Sequence, residues 1–361
     1  MDYSPPRAWA EIDLTALLHN YRYAKQCSGQ EVMAVVKANA YGHGVVSVIK
    51  ALESEQPAFY GVANVYEARE LRAVLPDTRI YLLGAANATE YDEIVKSNFT
   101  PCASSMRELA IFGELARLNQ TVLKVHLALD TGMGRGGFLV GSTEFKDALA
   151  YSHSNIEIEG IGSHLPVADE DADFTREQLS LFQKEAPMNF KYRHIANSAG
   201  LMDYESYSMN LVRPGLMLYG SSPIPKYQQF LKPVMHLYSR ISLIRDIPRG
   251  QGISYGRTYI TQRDSKIATV GIGYADGLRR SLSGKELSVS INGQKAPIVG
   301  RITMDQIMID VTNLQNCSTG DQVEIFGKNI SVNEVAERAD TIPWEIFTGI
   351  APRVKRVVIE P

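Results

Sequence analysis

The strongest constraint on the fold is an alternation that repeats eight times between residues 32 and 215. Short apolar runs rich in β-branched residues alternate with stretches of helical periodicity. The apolar runs are VMAVVKA, FYGVANV, RIYLLG, FTPCAS, VLKVHLALD, IEIEGIGSHL, YRHIANS and MNLVRPG. Near-continuous apolar strands separated by helices are typical of a parallel sheet covered on both faces. Eight such units predict a closed (β/α)8 TIM barrel, and the absence of GxGxxG after the first strand disfavours an open dinucleotide-binding sheet.

The pattern changes after about residue 232, where helical periodicity fades and short strands follow one another. They are SRISLIRDI, SKIATVGIGY, ELSVSINGQKAPIVG, QIMIDV and GDQVEIFG, and the Asn-Gly pair of INGQ predicts a hairpin. We therefore expect an α/β chain of two domains. Residues 9–232 form the barrel, and residues 233–361 form a mainly β C-terminal domain that residues 1–8 join.

The composition argues against several classes of partner. A net charge of −3 without a basic run disfavours nucleic acid and anionic membranes. No apolar run approaches the roughly 20 residues of a membrane span, and MDYSPPRAWAEIDL has no signal-peptide pattern. Three dispersed cysteines and seven dispersed histidines do not have metal-ligand spacing. We expect a cytoplasmic protein without a metal site.

Polar residues follow five of the predicted strands, at the barrel end where catalytic groups gather. They are Lys37, Asn39 and Tyr41 after the first strand, Asp130 and Arg135 after the fifth, Ser163 and His164 after the sixth, Asn197 and Ser198 after the seventh, and Arg213, Gly215 and Leu216 after the eighth. Each has an ordinary structural explanation when taken alone, such as a solvated strand-end lysine or a core histidine. Together they indicate a site for a ligand that is anionic and carries a carbonyl group.

The last two strand ends suggest what that ligand is. Ser198 and the backbone N–H groups of Gly215 and Leu216 follow strands seven and eight, where barrels often bind phosphate. Lys37 offers a primary amine that can form a Schiff base with an aldehyde. A phosphorylated aldehyde beside a lysine indicates pyridoxal 5′-phosphate.

Eight ordered motifs between residues 8 and 306 make the chain similar to the alanine racemases, the fold-type III pyridoxal phosphate enzymes. The motifs are AWAEIDLTALLHN, AVVKANAYGHG, DTGMGRGGF, HIANSAG, LVRPGLMLYG, ISYGRTY, GIGYADG and APIVGRITMDQ. The resemblance implies a homodimer with shared active sites that interconverts L-alanine and D-alanine by a two-base mechanism. It also implies a role in supplying D-alanine for peptidoglycan.

The resemblance also implies roles for the residues at the barrel end. Lys37 would hold the cofactor and act as one base. The cofactor would be bound by Tyr41, Asn197, Ser198, Gly215 and Leu216, all but Asn197 through its phosphate. Arg213 would donate to the pyridine nitrogen, His164 would bridge Arg213 to the catalytic tyrosine, and Arg135 would face the phenolic oxygen and the substrate carboxylate.

The β domain would supply the other half of the site, by the same resemblance. Tyr255 of the partner subunit would be the second base. The backbone of Met304 would contact the substrate carboxylate, and Tyr274 and Asp305 would line the entrance.

Three positions depart from the pattern of some family members. Ala128 stands where some have a lysine modified to a carbamate, Thr303 where a cysteine is common, and Pro352 where some have a gate tyrosine. A racemase of broader specificity, for serine for instance, is therefore an alternative. A pyridoxal phosphate carrier without catalysis is a weaker one, because such carriers have no β domain. Related decarboxylases have an acidic residue where this chain has Arg213.

Overall fold

The computed structural model describes residues 6–205 and 209–359. Contacts divide the chain into two compact units. One consists of the N-terminal stretch as far as Ala16, Tyr41–Gly44 and the chain from Lys232 onward, and the other of Leu17–Ala40 and Val45–Leu231. Within the described part of the chain, no helix is long and apolar enough to cross a membrane.

The second unit is the predicted (β/α)8 barrel. Its strands are Glu31–Val35, Phe59–Val62, Ile80–Leu82, Cys102–Ala103, Leu123–Asp130, Ile156–Gly162, Tyr192–His194 and Leu211–Val212. All ladders between these strands are parallel, and the eighth strand pairs with the first. Backbone hydrogen bonds also join the third strand to the fourth and the seventh to the eighth, which completes the ring. The Thr100 N–H donates to the Ile80 carbonyl at 2.9 Å, and the Arg213 N–H donates to the Ala196 carbonyl at 3.0 Å. A closed sheet has no exposed edge to pair with other chains.

Helices follow the first seven barrel strands. Their bounds are Val45–Glu53, Val65–Val74, Tyr91–Lys96, Met106–Leu118, Thr143–Leu149, Ala172–Glu185 and Ser198–Asp203, and the helix Leu14–Ser28 precedes the first strand. Local sequence explains where they begin. Ser105, for example, accepts a hydrogen bond from the Glu108 N–H at 3.2 Å, and such N-caps satisfy a donor that the helix leaves unpaired.

The first unit is mainly β, as predicted. Its strands are Ala8–Asp13, Met235–Ile247, Gly252–Ile253, Tyr259–Ile260, Ser265–Val270, Ser288–Ile291, Gln294–Val299, Ile307–Asp310, Gln322–Phe326 and Lys355–Ile359, with helices at Val332–Arg338 and Pro343–Thr348. The hairpin predicted at INGQ is present, with Ile291 opposite Gln294.

The N-terminal strand belongs to this mainly β sheet. Ala8–Asp13 pairs antiparallel with Met235–Ile247 and parallel with Lys355–Ile359. The strand thus crosses the sequence limit that we expected between residues 8 and 9. The domain limits 9–232 and 233–361 stay predictions.

Candidate active site

The backbone turns left-handed directly after Lys37, where the first barrel strand has ended. Ala38, Asn39 and Ala40 have φ values of 53°, 54° and 52°. This conformation costs an L-residue other than glycine roughly 1–2 kcal/mol. Such strain persists only where the surroundings over-determine the backbone, and it occurs preferentially at functional sites.

Two side chains hold this left-handed turn in place. The Ala38 N–H donates to Glu67 Oε1 at 2.8 Å, and the other Glu67 oxygen accepts from the Ala63 N–H at 2.8 Å. Asn39 Oδ1 accepts from the Val45 N–H at 2.7 Å. The bonds of Ala38 and Asn39 tie the turn to the helix Val65–Val74 and to the first residue of the helix Val45–Glu53, so the backbone that carries Lys37 has little freedom.

The surroundings of Lys37 lower the pKa of its amine below that of an ordinary lysine. Burial is the main cause that lowers its pKa, and the positive charges of Arg135 and Arg213 lower it further, whereas Glu67 opposes them. More of the amine is therefore neutral near pH 7, which is the form that attacks a carbonyl group or accepts a proton.

The Arg213 guanidinium is buried and donates to a ring of acceptors. Its Nη2 donates to the Ser163 carbonyl at 2.6 Å and lies 3.1 Å from His164 Nδ1, and its Nη1 lies 2.5 Å from His194 Nδ1. Because an arginine only donates, both histidine nitrogens must accept. Burial, followed by the charges of Arg213 and Arg135 and then of Lys37, lowers the pKa of His164 to about 3. His164 is therefore neutral, with its proton on Nε2.

The Ser198 hydroxyl accepts hydrogen bonds from backbone N–H groups of the segment after the eighth strand. Its Oγ accepts from the Gly215 N–H at 3.0 Å and from the Met217 N–H at 3.3 Å. Leu216 lies between them and begins the 3-10 turn Leu216–Tyr219. Asn197 caps the helix Ser198–Asp203. The hydroxyl and adjacent N–H groups are the donor set that suits a phosphate.

Arg135 lies in the glycine-rich turn that follows the fifth strand. Asp130 shapes this turn, since its carboxylate accepts from the N–H groups of Gly132 and Gly134 at 2.9 and 3.1 Å. Arg135 itself is exposed in the isolated chain. Ala128 is buried within the fifth strand.

Three predicted site residues are exposed in the mainly β unit: Tyr255, Met304 and Tyr274, at 69%, 52% and 41% of their surfaces. The loops that carry Tyr274 and Met304 are joined through their backbones, because the Ala275 N–H donates to the Met304 carbonyl at 3.0 Å. Asp305 pairs with Arg353 at 2.8 Å.

The predicted residues therefore form separate groups. Lys37, Arg135, His164 and Arg213 influence one another electrostatically within the barrel unit. Ser198 contacts Gly215 in the same unit. Tyr41 is buried in the segment Tyr41–Gly44, which clusters with the mainly β unit. The roles given to all of these residues remain predictions.

Sequence reasoning missed three residues around this site: Glu67, His194 and His126. Glu67 lies in the helix Val65–Val74 and clamps the turn after Lys37. His194 contacts Arg213, and His126 contacts His194 at 2.8 Å. A signal for the two histidines was present in EGIG, where alternate glycines on one strand leave space beside it.

The fold and these side chains define a barrel protein with a second, mainly β unit, in which a lysine of lowered pKa and a serine beside backbone N–H groups follow the barrel strands. Residues 12–223 match the model of the alanine racemase N-terminal domain, and residues 234–358 match that of the C-terminal domain. The chain therefore belongs to the alanine racemase family.

Individual relatives are similar to this chain along nearly its whole length. Alanine racemase 2 of Caldanaerobacter subterraneus subsp. tengcongensis is 40% identical over 365 residues, which cover 97% of this chain and 94% of that protein. The alanine racemase of Halothermothrix orenii is 40% identical over 367 residues, covering 96% of both. The crystal structure of the alanine racemase from Bartonella henselae, which has covalently bound pyridoxal phosphate, superposes with a TM-score of 0.90 at 33% identity, covering 98% of this chain and all of that one.

Proposed function

We propose that this protein interconverts L-alanine and D-alanine with pyridoxal 5′-phosphate attached to Lys37. The observation that carries the proposal is a lysine at the start of a backbone turn held by Glu67, whose amine pKa is lowered by burial and by the charges of two arginines. A matching relative carries the cofactor covalently. The reaction class rests on the family match, and an amine that adds to an aldehyde and exchanges protons is compatible with it.

The residues of the barrel unit fit this cofactor chemically. Ser198 with the N–H groups of Gly215 and Leu216 would hold the phosphate, together with Tyr41, and Asn197 would support this segment. Arg213 would donate to the ring nitrogen, and since it cannot accept a proton, that nitrogen would stay unprotonated. When bound, the cofactor supplies an electron-withdrawing ring that acidifies the α-hydrogen of the substrate.

Two bases on opposite faces of the α-carbon would move the proton. Lys37 Nζ would take it from D-alanine, and Tyr255 Oη of the partner subunit would take it from L-alanine. His164 would donate its Nε2–H toward that tyrosine, while Arg135 and the Met304 backbone would orient the substrate carboxylate. A tyrosine has an ordinary pKa of about 10, so it would need positive charge nearby to act near neutrality.

The shared site would require a homodimer, in which each barrel end meets the mainly β unit of the other chain. Supporting this, Tyr255 and Met304 expose most of their surfaces in the isolated chain. A two-fold dimer would form two equivalent sites, because its interface repeats each contact. Tyr274 and Asp305 would line the entrance. The D-alanine would serve peptidoglycan synthesis in the cytoplasm.

The attachment point has a direct test. Reducing the loaded protein with borohydride should fix the cofactor covalently, and peptide mapping should find it on Lys37. Lys50 is a control in the same unit, and a label there or on another lysine would contradict the proposal.

The shared site is tested by mixing two inactive variants. Lys37→Ala and Tyr255→Phe chains that are dissociated and re-mixed should regain activity, since one site of each mixed dimer would carry neither lesion. Mixed dimers that form and remain inactive would show that both bases come from one chain.

Pro352 favours one alternative, a racemase of broader specificity. Where some relatives have a tyrosine, this exposed proline offers no hydroxyl. Serine racemised as efficiently as alanine would support that alternative.

A further inference from the structure

A chain of polar side chains runs through the barrel unit from Arg213 toward the amino ends of the strands. Arg213 Nη1 lies 2.5 Å from His194 Nδ1, and His194 Nε2 lies 2.8 Å from His126 Nδ1. His126 Nε2 faces Glu159 Oε1 at 3.6 Å. The Glu159 carboxylate in turn pairs with Arg79. The four groups from Arg213 to Glu159 are all buried.

The direction of the hydrogen bonds in this chain is fixed by its first member. Arg213 can only donate, so His194 Nδ1 must accept and its proton must lie on Nε2. That proton is then donated to His126 Nδ1, which leaves the His126 proton on Nε2, facing Glu159. Burial and the charge of Arg213 lower the pKa of His194, and burial is the main cause that lowers the pKa of His126. Both imidazoles are therefore neutral and carry one proton each.

Two glycines of the barrel leave space for the imidazole rings of His126 and His194. Gly160 and Gly162 lie two residues apart on the sixth strand, so they face the same side of the sheet. A Cβ atom at Gly160 would lie 2.7 Å from the His126 ring, and one at Gly162 would overlap the His194 ring. Any other residue at either position would push an imidazole out of line.

We propose that His194 and His126 are positioning residues, which hold the Arg213 guanidinium through a directional chain that ends on the Glu159 carboxylate. His194 takes one Nη1 hydrogen, while Ser163 and His164 occupy Nη2. The second Nη1 hydrogen and the Nε hydrogen are the donors that these contacts leave for the cofactor's ring nitrogen. In this last respect the inference rests on the proposed function.

Glu159 strengthens the hydrogen bonds of this chain from its far end. A carboxylate draws the His126 proton toward itself, which makes His126 Nδ1 a stronger acceptor for His194, and His194 in turn a stronger acceptor for Arg213. Glu159→Gln keeps the shape and an acceptor oxygen but removes the charge. The Glu159→Gln substitution should therefore change the hydrogen bonding of His194 as well as that of the neighbouring His126.

The chain is tested without the cofactor by nitrogen NMR of cofactor-free protein labelled with 15N-histidine. We expect His194 and His126 each to carry a single proton on Nε2, and Glu159→Gln to shift the nitrogen signals of both. His153→Asn is the control, since His153 stacks on Tyr151 outside the chain. A proton on Nδ1 of either ring, or a Glu159→Gln effect confined to His126, would overturn the proposal.

The link to Arg213 is tested in the loaded enzyme with two variants of one residue. His194→Asn offers an oxygen near the position of Nδ1, whereas His194→Leu offers none. We expect His194→Leu to move the absorbance maximum of the bound cofactor and to lower kcat about 100-fold, the scale of a displacement of about 1 Å, with KM little changed. His194→Asn should recover most of both.

Equal defects in the two variants would overturn the proposal, because the acceptor would then not matter. The proposed function fails separately, if the natural protein neither binds the cofactor nor racemises alanine. In that event, the NMR measurement on the cofactor-free protein still decides whether the chain exists.

Discussion

Replacing Ala38 by glycine should stabilise the protein while slowing its reaction. Ala38 is exposed and has φ 53° and ψ 51°, so the substitution removes strain without removing packing. The strain is worth roughly 1–2 kcal/mol. The extra freedom of glycine in the unfolded chain takes back about 0.5–1 kcal/mol. The net gain in the free energy of unfolding should be about 0.5–1 kcal/mol.

Urea denaturation of cofactor-free protein, followed by circular dichroism, measures this change. Ala110→Gly is the matched control, because Ala110 is exposed in the middle of the helix Met106–Leu118 of the same unit. There the substitution should lower the free energy of unfolding by about 1 kcal/mol. If both variants lose stability equally, the strain argument is wrong.

The same variant should lower kcat, because the turn that orients Lys37 becomes flexible. Loss of orientation can cost up to about 100-fold in rate. Ala110→Gly should leave kcat unchanged. An Ala38→Gly enzyme with the natural kcat would show that the left-handed turn does not position the amine.

Three further substitutions have defined outcomes. Glu67→Gln removes a negative charge that raises the Lys37 pKa, so cofactor-free protein should bind pyridoxal phosphate covalently at lower pH than the natural protein does; an unchanged absorbance-against-pH profile would contradict this. Ser198→Ala removes the hydroxyl that Gly215 donates to, and should weaken cofactor retention about 10- to 100-fold in dialysis, the scale of a hydrogen bond to a charged group; retention equal to that of the natural protein would exclude a phosphate role. Asp276→Asn removes a buried charge that pairs with two arginines, and should lower the free energy of unfolding of the mainly β unit by about 2 kcal/mol. An unchanged unfolding transition in calorimetry would contradict this.

The barrel strands could be predicted because each is a short apolar run that a local pattern identifies. The INGQ hairpin could be predicted for a similar reason: Asn292 and Gly293 have φ values of 50° and 79°, which few other residue pairs adopt. Residues 1–8 were expected to join the β domain, but the pairing of the whole strand Ala8–Asp13 was not predicted, because its partners Met235–Ile247 and Lys355–Ile359 lie more than 200 residues away in sequence. Pairing over such separations leaves no local signal.

At the candidate site, the sequence predicted the positions of polar groups but not what holds them. Lys37 was found from the strand that ends before it. The left-handed turn was not, because Ala38 and Ala40 are not residues that favour positive φ. Glu67 was missed because it lies in the helix after the second strand, whereas Ala38, which it contacts, follows the first strand. The hydrogen-bonded contact of His194 with His126 depends on the strand order of the sheet, which places strands five and seven on either side of strand six.

The central claim is tested most directly by following optical activity. Purified protein supplied with pyridoxal phosphate should bring L-alanine to an equal mixture with D-alanine, and D-alanine to the same mixture, because enantiomers have equal free energies. Lys37→Ala should abolish the change in both directions. Optical activity that stays constant from both enantiomers, in protein that has demonstrably bound the cofactor, would contradict the claim that this chain racemises alanine.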